Sequence, residues 1–165
     1  MKKSLLLLIV AIFTLTTAFD ANAWTDRNTF GLKGPVKAVY NQDGYSNWLS
    51  EFNYDGTLSE LNNKDWDVSR DRKGRLIEFS VLGQGYHFTY NAKGQLIKLH
   101  IWAGAGTDFT RTFTYNTKGQ IIKQNWDGEI TTYTYQKFDS YGNWIKRTAK
   151  TGRKSTVQTR TITYY

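Results

Sequence analysis

The sequence predicts an all-β protein, an antiparallel meander of about 12 strands curled into a half-barrel, trough or barrel. Six short segments share one pattern: an aromatic residue (once Arg), Asn or Asp, two variable residues and then Gly. Between these segments Thr, Tyr, Phe and Ile recur at every second position, which is typical of β-strands. No helical period follows residue 24. Curvature is expected because open twisted sheets rarely exceed about 10 strands without curling.

The first segment of the chain is a predicted signal peptide over residues 1–23. Two lysines precede an apolar run, Leu5 to Phe13, and the stretch ends on the small residues Ala21-Asn22-Ala23. These are the parts of a secretory signal, and the run is too short for the roughly 20 residues of a transmembrane helix. We therefore expect residues 24–165 to form a single β-hairpin repeat domain. It would not span a membrane after signal removal, and it would be periplasmic or secreted.

Each copy of the pattern predicts a tight turn. The Asn or Asp side chain bonds the backbone two residues further on, and Gly supplies the positive φ that closes a four-residue loop. The predicted turn glycines are Gly44, Gly56, Gly74, Gly94, Gly119 and Gly142. The first spacing fits one strand, and the longer spacings fit two strands with a second turn at the far end. Every strand is therefore predicted to join the next through a tight turn.

Pairing Tyr90 with Gln95 across one turn assigns the side chains to two faces. The packed, concave face would hold Tyr86, Phe88 and Tyr90 opposite Ile97, Leu99 and Ile101. The polar face would hold His87 and Thr89 opposite Leu96, Lys98, His100 and Trp102. In the next hairpin, Phe109, Phe113 and Tyr115 would meet Ile122 and Trp126, with the intervening threonines facing Lys123 and Asn125. In the fourth hairpin, Tyr133 and Tyr135 would lie on the same face as Lys146, so the two faces separate less clearly there.

The aromatic-Asp/Asn-x-x-Gly pattern resembles the YD repeats of Rhs-type secreted proteins. Its closest copy is Phe138-Asp139-Ser140-Tyr141-Gly142-Asn143-Trp144, and the segment Gly31-Leu32-Lys33-Gly34-Pro35-Val36-Lys37 looks like the lead-in of small exported Bacteroidetes repeat proteins. The resemblance implies hairpin-built curved sheets, surface or secreted placement, and binding or encapsulation rather than catalysis. Asn replaces Asp in four of the six copies, and we expect no toxin domain after residue 165. Toxin delivery is therefore not implied.

Positive charge is concentrated in the second half of the chain. Residues 91–165 hold 12 Lys plus Arg against 4 acids, whereas residues 24–90 hold 8 against 9. Basic side chains beside aromatic rings are typical of sites for a glycan or other polyanion. The candidate binding residues on the polar face are Lys98, His100, Trp102, Lys123, Trp144 and Lys146, with Glu60 and Glu78 at the equivalent earlier positions. An ordinary solvated sheet face carries the same residue types.

The sequence contains no recognisable catalytic or cofactor motif. It has no Gly-x-Ser-x-Gly elbow, phosphate loop or His-Glu-x-x-His, and no carboxylate pair stands out. It also has no Cys, so neither disulfides nor thiolate metal sites are expected. His87 and His100 are predicted diagonal neighbours without a third metal ligand. The alternating acids from Asp65 to Asp71 lack the Gly and Glu of a calcium loop. We expect no enzyme activity, cofactor or metal.

Two functions remain open from the sequence. The first is a non-catalytic exported binding module for an envelope or extracellular ligand, a glycan or other polyanion. The alternative is a periplasmic carrier of lipid or amphiphile, a half-open β-barrel that presents its Tyr, Phe and Ile face to an acyl chain. Nucleic acid is not an expected partner of a chain with a secretory signal. Self-association through edge strands is left open.

Overall fold

The computed structural model describes residues 24–42, 47–62, 65–104 and 106–165. The predicted signal peptide and Gly44 lie outside the described residues. The helices are α1 (Asp26–Thr29) and a 3-10 helix (Ser59–Asn62). The strands are β1 (Val36–Gln42), β2 (Asn47–Glu51), β3 (Asp67–Arg70), β4 (Leu76–Val81), β5 (Gln84–Tyr90), β6 (Leu96–Ala103), β7 (Thr107–Tyr115), β8 (Ile121–Trp126), β9 (Glu129–Phe138), β10 (Trp144–Thr151) and β11 (Lys154–Tyr164). Neither helix in this part of the chain has the length or apolar character to cross a bilayer.

Eleven antiparallel strands form one sheet in the order β2-β1-β11-β10-β9-β8-β7-β6-β5-β4-β3. The all-β class is confirmed, with eleven strands in the described residues where about 12 were predicted, and the meander runs unbroken from β3 to β11. The strand predicted between the Gly56 turn and the turn at residues 62–65 is wrong, because that segment has only an isolated bridge, Phe52 to Leu58, and the 3-10 helix. Because β1 pairs with β11, β2 and β3 become the two opposite edges of the sheet. No ladder among the described strands joins these edges, so the sheet is open.

The segment between β2 and β3 packs inside the curl of the sheet instead of adding a strand to it. Its residues Phe52 and Leu58 are buried, and Leu61 packs against both buried clusters of the protein. The clusters consist of Leu32, Val36, Val39, Phe52 and Leu58, and of Leu76, Phe79 and Phe88. Since one side chain touches both clusters, the sheet curls until its two ends approach. Glu60 accordingly lies in the 3-10 helix, which corrects its predicted strand position.

Residues 24–35, called the cap segment below, cross one end of the curled sheet. The Trp24 ring packs edge-on against Tyr90, with 6.0 Å between ring centroids. Farther along, the backbone N–H of Lys33 donates to Asn143 Oδ1 at 2.8 Å, and Asn143 Nδ2 donates to the Lys33 carbonyl. The cap segment therefore ties the β5 side of the sheet to the β10 side.

An ion pair between the buried Asp26 and the partly exposed Arg70 anchors the cap segment. The side chain of Asp26 is fully buried and accepts the N–H of Leu58 at 2.8 Å. It also accepts two hydrogen bonds from the Arg70 guanidinium, at 2.6 and 2.9 Å. The Asp26 hydrogen bond raises the pKa of Arg70. Removing one partner from such a pair usually costs about 3–5 kcal/mol, because the other charge stays buried and uncompensated.

The Asn/Asp-x-x-Gly segments in the described chain form turns at the capped end. Asn91 Oδ1 accepts the backbone N–H groups of Lys93 and Gln95, both at 3.0 Å. Gly94 then has a φ of 80°, and a Cβ there would lie 2.7 Å from the Trp24 ring. The same side-chain-to-backbone bonds recur at Asp71, Asn116 and Asp139.

A tyrosine beside the turn sets the register of successive hairpins. The Tyr90 hydroxyl donates to the carbonyl of Leu76, and the Tyr115 hydroxyl donates to that of Leu96, both at 2.7 Å. A register shift next to each turn accompanies these bonds. Tyr90 therefore lies opposite Leu96 rather than Gln95, which corrects the predicted pairing. Leu96 also packs on the buried cluster instead of lying on the polar face.

The two faces of the sheet follow from this register. The face that holds the buried clusters is called the concave face, and the other the convex face. Tyr86 lies opposite Ile101 and Phe88 opposite Leu99, all on the concave face as predicted. In the next hairpin, Thr114 lies opposite Lys123 on the convex face, also as predicted.

Candidate functional site

The concave face of β7 to β11 carries arginines and aromatic rings where the rest of the face carries an apolar core. Arg111 on β7 lies opposite Trp126 on β8, and Arg147 on β10 lies opposite Tyr135 on β9. Opposite residues of a ladder share a face. We call this surface the arginine face, and it consists of Arg111, Trp126, Tyr133, Tyr135, Trp144, Arg147 and Arg160.

Arg147 is at the centre of the arginine face. Its guanidinium carbon lies 3.9 Å from the centroid of the Tyr133 ring and 4.1 Å from that of Trp144. Its Nε donates to Gln158 Oε1 at 2.7 Å. Cation–π contacts of this kind are worth about 0.5–2 kcal/mol, more when water is excluded. These contacts hold the guanidinium in one orientation.

Arg160 contacts the same tryptophan ring as Arg147 does. Its guanidinium carbon is also 4.1 Å from the Trp144 ring centroid, and its Nε donates to the Trp144 carbonyl. Its Nη2 is buried and has no hydrogen-bond partner. Directly opposite, on β1, Asn41 is only 7% exposed, and its Nδ2 likewise has no partner. More than about 90% of buried polar groups are paired, so two adjacent orphan donors are unusual.

Arg111 forms the more open end of the arginine face. Its guanidinium carbon lies 4.0 Å from the Trp126 ring centroid, and its buried Nε has no partner. The Trp126 ring is 40% exposed and meets Phe109, which is 37% exposed, edge to face. Two large aromatic rings therefore face solvent beside a guanidinium group.

The arginines of the arginine face have no direct ion pair among the described residues, although the charge of Asp139 acts on Arg160. Burial lowers the pKa of Arg111 and of Arg147. Burial, and then repulsion from Arg147, lowers the pKa of Arg160 to about 10. Since guanidinium groups keep their proton at neutral pH, this surface is strongly positive.

The convex face carries most of the binding residues predicted from the sequence. Lys98 lies opposite Thr112, Lys123 opposite Thr114, and Lys146 opposite Thr159. His100 and Trp102 alternate with Leu99 and Ile101 along β6, so they also lie on the convex face. The structure thus brings five of the six predicted residues to one face.

Trp144 does not share that face, and its predicted position is wrong. Its ring contacts Arg147 and Arg160 on the concave side. Register shifts on either side of Lys146 break the alternation along β10. For the same reason Tyr135 lies opposite Arg147, instead of falling with Lys146 as predicted.

The convex lysines are staggered and fully solvated. Thr132 lies opposite both Lys123 and Lys150, so Lys150 is the side chain in line with Lys123. Lys146 lies four residues away along β10. All these lysines are exposed. This is the arrangement of an ordinary solvated face, in contrast to the desolvated arginines.

The two histidines lie directly opposite each other on β5 and β6, not diagonally as predicted. His87 Nδ1 is 3.5 Å from Glu78 Oε2, and His100 Nε2 is 3.4 Å from Asp108 Oδ1. In the part of the chain that the structure describes, no three His, Asp or Glu side chains are grouped to hold a metal ion.

Sequence reasoning missed the arginines. Arg111 stands two residues before Phe113 and two after Phe109, so strict alternation placed it on the apolar concave face. A charged residue among apolar residues of the concave face was the signal that could have identified Arg111. Arg160 gave the same signal, since it alternates with Ile162 and Tyr164. Arg147 could not be assigned in this way, because the register shifts at Lys146 break the alternation along β10.

Neither known protein families nor curated proteins gave a match when compared with this chain.

Proposed function

We propose that the protein is an exported, non-catalytic module that binds an acidic glycan along its concave face. The observation that carries this proposal is the arginine face, in which three desolvated guanidinium groups have no carboxylate partner among the described residues. Guanidinium groups bind carboxylates and sulfates through charge-assisted hydrogen bonds. The predicted signal peptide and the resemblance to YD repeats support export and a binding role.

The aromatic rings of the arginine face support a glycan rather than a small inorganic anion. Trp126 and Phe109 expose flat surfaces beside Arg111, and sugar rings stack on such surfaces. The row from Arg111 across β10 to Arg160 on β11 crosses several strands, which are spaced about 4.8 Å apart. A ligand that met all three arginines would therefore need charges at intervals, as acidic polysaccharides have.

Affinity chromatography on immobilised polygalacturonate tests the proposal, with neutral dextran as the reference matrix. We expect retention that weakens with salt and is lost in the triple variant Arg111→Gln, Arg147→Gln and Arg160→Gln. The matched control is the convex variant Lys98→Gln, Lys123→Gln and Lys146→Gln, which removes the same charge and should still bind. If the arginine variant is still retained on the column and the lysine variant is not, the site lies on the convex face and this proposal is rejected.

A second function, carriage of an anionic amphiphile, is favoured by one observation. On the concave face, the exposed rings of Phe109 and Trp126 adjoin Arg111 and the partly buried Ile101. An acyl chain on the rings with its headgroup at the arginine would fit this chemistry. Native mass spectrometry of protein purified without detergent distinguishes the two functions, since a carrier retains lipid and a glycan-binding module does not.

A further inference from the structure

Asn41 and Arg160 present two unsatisfied donors at one point of the concave face. The two residues are directly opposite in the β1–β11 ladder, so their side chains leave the sheet side by side, about 5 Å apart at Cβ. Asn41 Nδ2 and Arg160 Nη2 are both buried without a hydrogen-bond partner. Both atoms can only donate, so the group that satisfies them must be an acceptor.

The surroundings of these donors select an anionic acceptor. Arg160 and Arg147 share the Trp144 ring, each at 4.1 Å from its centroid, and their mutual repulsion contributes to the lowered pKa of Arg160. Their Nε atoms are already used by the Trp144 carbonyl and by Gln158. Arg147 also has a side-chain hydrogen bond with Tyr135, so the buried donors left for a ligand at this point are Arg160 Nη2 and the Asn41 amide.

We infer that Asn41, Arg160 and Arg147 form a discrete site for the carboxylate of an acidic sugar. Two adjacent donors on neighbouring strands match the two oxygens of a planar carboxylate, and the Arg160 guanidinium is held in place by its contact with the Trp144 ring. This inference rests on the proposed function and names the group that the arginine face recognises. Arg111, on the far side of β8 to β10, lies outside the site.

The decisive variant is Asn41→Asp, which is isosteric and supplies a carboxylate to Arg160 from the chain itself. We expect its thermal midpoint to rise and its affinity for sodium galacturonate to fall at least tenfold. The charge-matched control is Gln136→Glu, which adds the same charge on the exposed convex face, where Gln136 donates to Thr148. This control should bind galacturonate as the unmodified protein does.

Nitrogen-15 NMR of the side-chain Asn amides and Arg Nε groups reports binding at the site. Sodium galacturonate should shift the Asn41 and Arg160 signals saturably, galactose should not, and sulfate should do so more weakly. Equal affinity for sulfate, or unchanged affinity in Asn41→Asp, would overturn the inference. The variant Asp43→Asn tests whether a carboxylate of the chain itself occupies the site, since Asp43 is two residues from Asn41 and lies outside the described residues. If that variant bound galacturonate severalfold more tightly, a carboxylate of the chain itself would occupy the site, and the inference would fall.

These outcomes separate the inference from the proposed function. If retention on polygalacturonate needs the three arginines but does not change in Asn41→Asp, the proposed function stands and the carboxylate site is rejected. Saturable shifts at Asn41 with free galacturonate, without retention on the polymer, would support the site and reject binding of an extended glycan.

Discussion

The concave face of the sheet has two halves that differ in what they bury. The first half, under the cap segment, buries leucine, valine and phenylalanine, and its charged groups are paired there, as Asp26 is with Arg70. The second half, the arginine face, buries guanidinium groups against aromatic rings and leaves donors without partners. Among the described residues, the buried donors without a partner are on Arg111 and Arg160 of this half and on Asn41 of the adjoining β1.

The hairpin framework is the same in both halves. The Tyr90 hydroxyl donates to the Leu76 carbonyl in the packed half, and the Tyr135 hydroxyl donates to the Ile121 carbonyl in the other, both at 2.7 Å. The Asn/Asp turns are also alike. The turns and tyrosine anchors therefore specify the sheet, while the residues between them form an apolar core in one half and the arginine face in the other.

Two arginine-to-methionine variants give the largest contrast between the halves. Arg70→Met should lower the free energy of unfolding by about 3 kcal/mol, because Asp26 is left buried and unpaired. Arg147→Met should change it by less than about 1 kcal/mol in either direction, because no buried carboxylate loses its partner and the methionine packs on the same rings. Urea unfolding monitored by circular dichroism measures both. Similar losses in the two variants would mean that the arginine face stabilises the fold.

Truncation of an apolar side chain should show the same contrast. Leu76 is fully buried, so Leu76→Ala should cost about 3 kcal/mol of unfolding free energy. Ile122 is 38% exposed, and Ile122→Ala should cost less than about 1 kcal/mol. Thermal and urea unfolding of the pair would check this. A large loss at Ile122 would indicate a second core that the exposure of β8 does not suggest.

Glycine substitution at one repeat position isolates the contribution of the cap segment. Gly94 and Gly119 have φ values of 80° and 76°, so Ala is strained at both, by about 1 kcal/mol. At Gly94 the new Cβ would also lie 2.7 Å from the Trp24 ring, whereas at Gly119 the nearest atom is 3.5 Å away. We expect Gly94→Ala to cost about 1 kcal/mol more than Gly119→Ala. The variant Trp24→Ala should abolish that difference.

Acid sensitivity should depend on the turns that use Asp. Burial alone would raise the pKa of Asp139, but hydrogen bonds from Tyr164 and two backbone N–H groups outweigh it, so the pKa lies below the ordinary value. Its contribution is therefore present above about pH 4 and is lost as the pH falls through the lowered pKa.

We expect Asp139→Asn to cost about 1 kcal/mol at pH 6 and to converge with the unmodified protein near pH 2. Asn116 occupies the same position in the turn between β7 and β8. The variant Asn116→Asp should make stability more sensitive to acid. A constant difference between Asp139→Asn and the unmodified protein across the pH range would show that the carboxylate charge does not matter.

Much of the fold could be predicted because its signals are local. Alternation from Thr110 to Tyr115 and the Asn-x-x-Gly turns predict strands and hairpins without reference to distant residues. The β2–β3 connection could not be predicted, since Leu58 and Leu61 leave the strand pattern only because they pack against cores formed by other strands. For the candidate site, Arg111 was readable from alternation, whereas Trp144 was assigned to the wrong face.

The amino-acid sequence by itself determined the all-β class, the Asn/Asp-x-x-Gly turns and the strand faces away from the turns, because those depend on φ preferences and period-two alternation within a few residues. Only the tertiary structure decided that β1 pairs with β11, which places Asn41 beside Arg160, and that the register shifts at Lys146 bring Trp144 under two arginines. The reason is physical: pairing between distant strands and shifts in a ladder are set by the packing of the curled sheet as a whole.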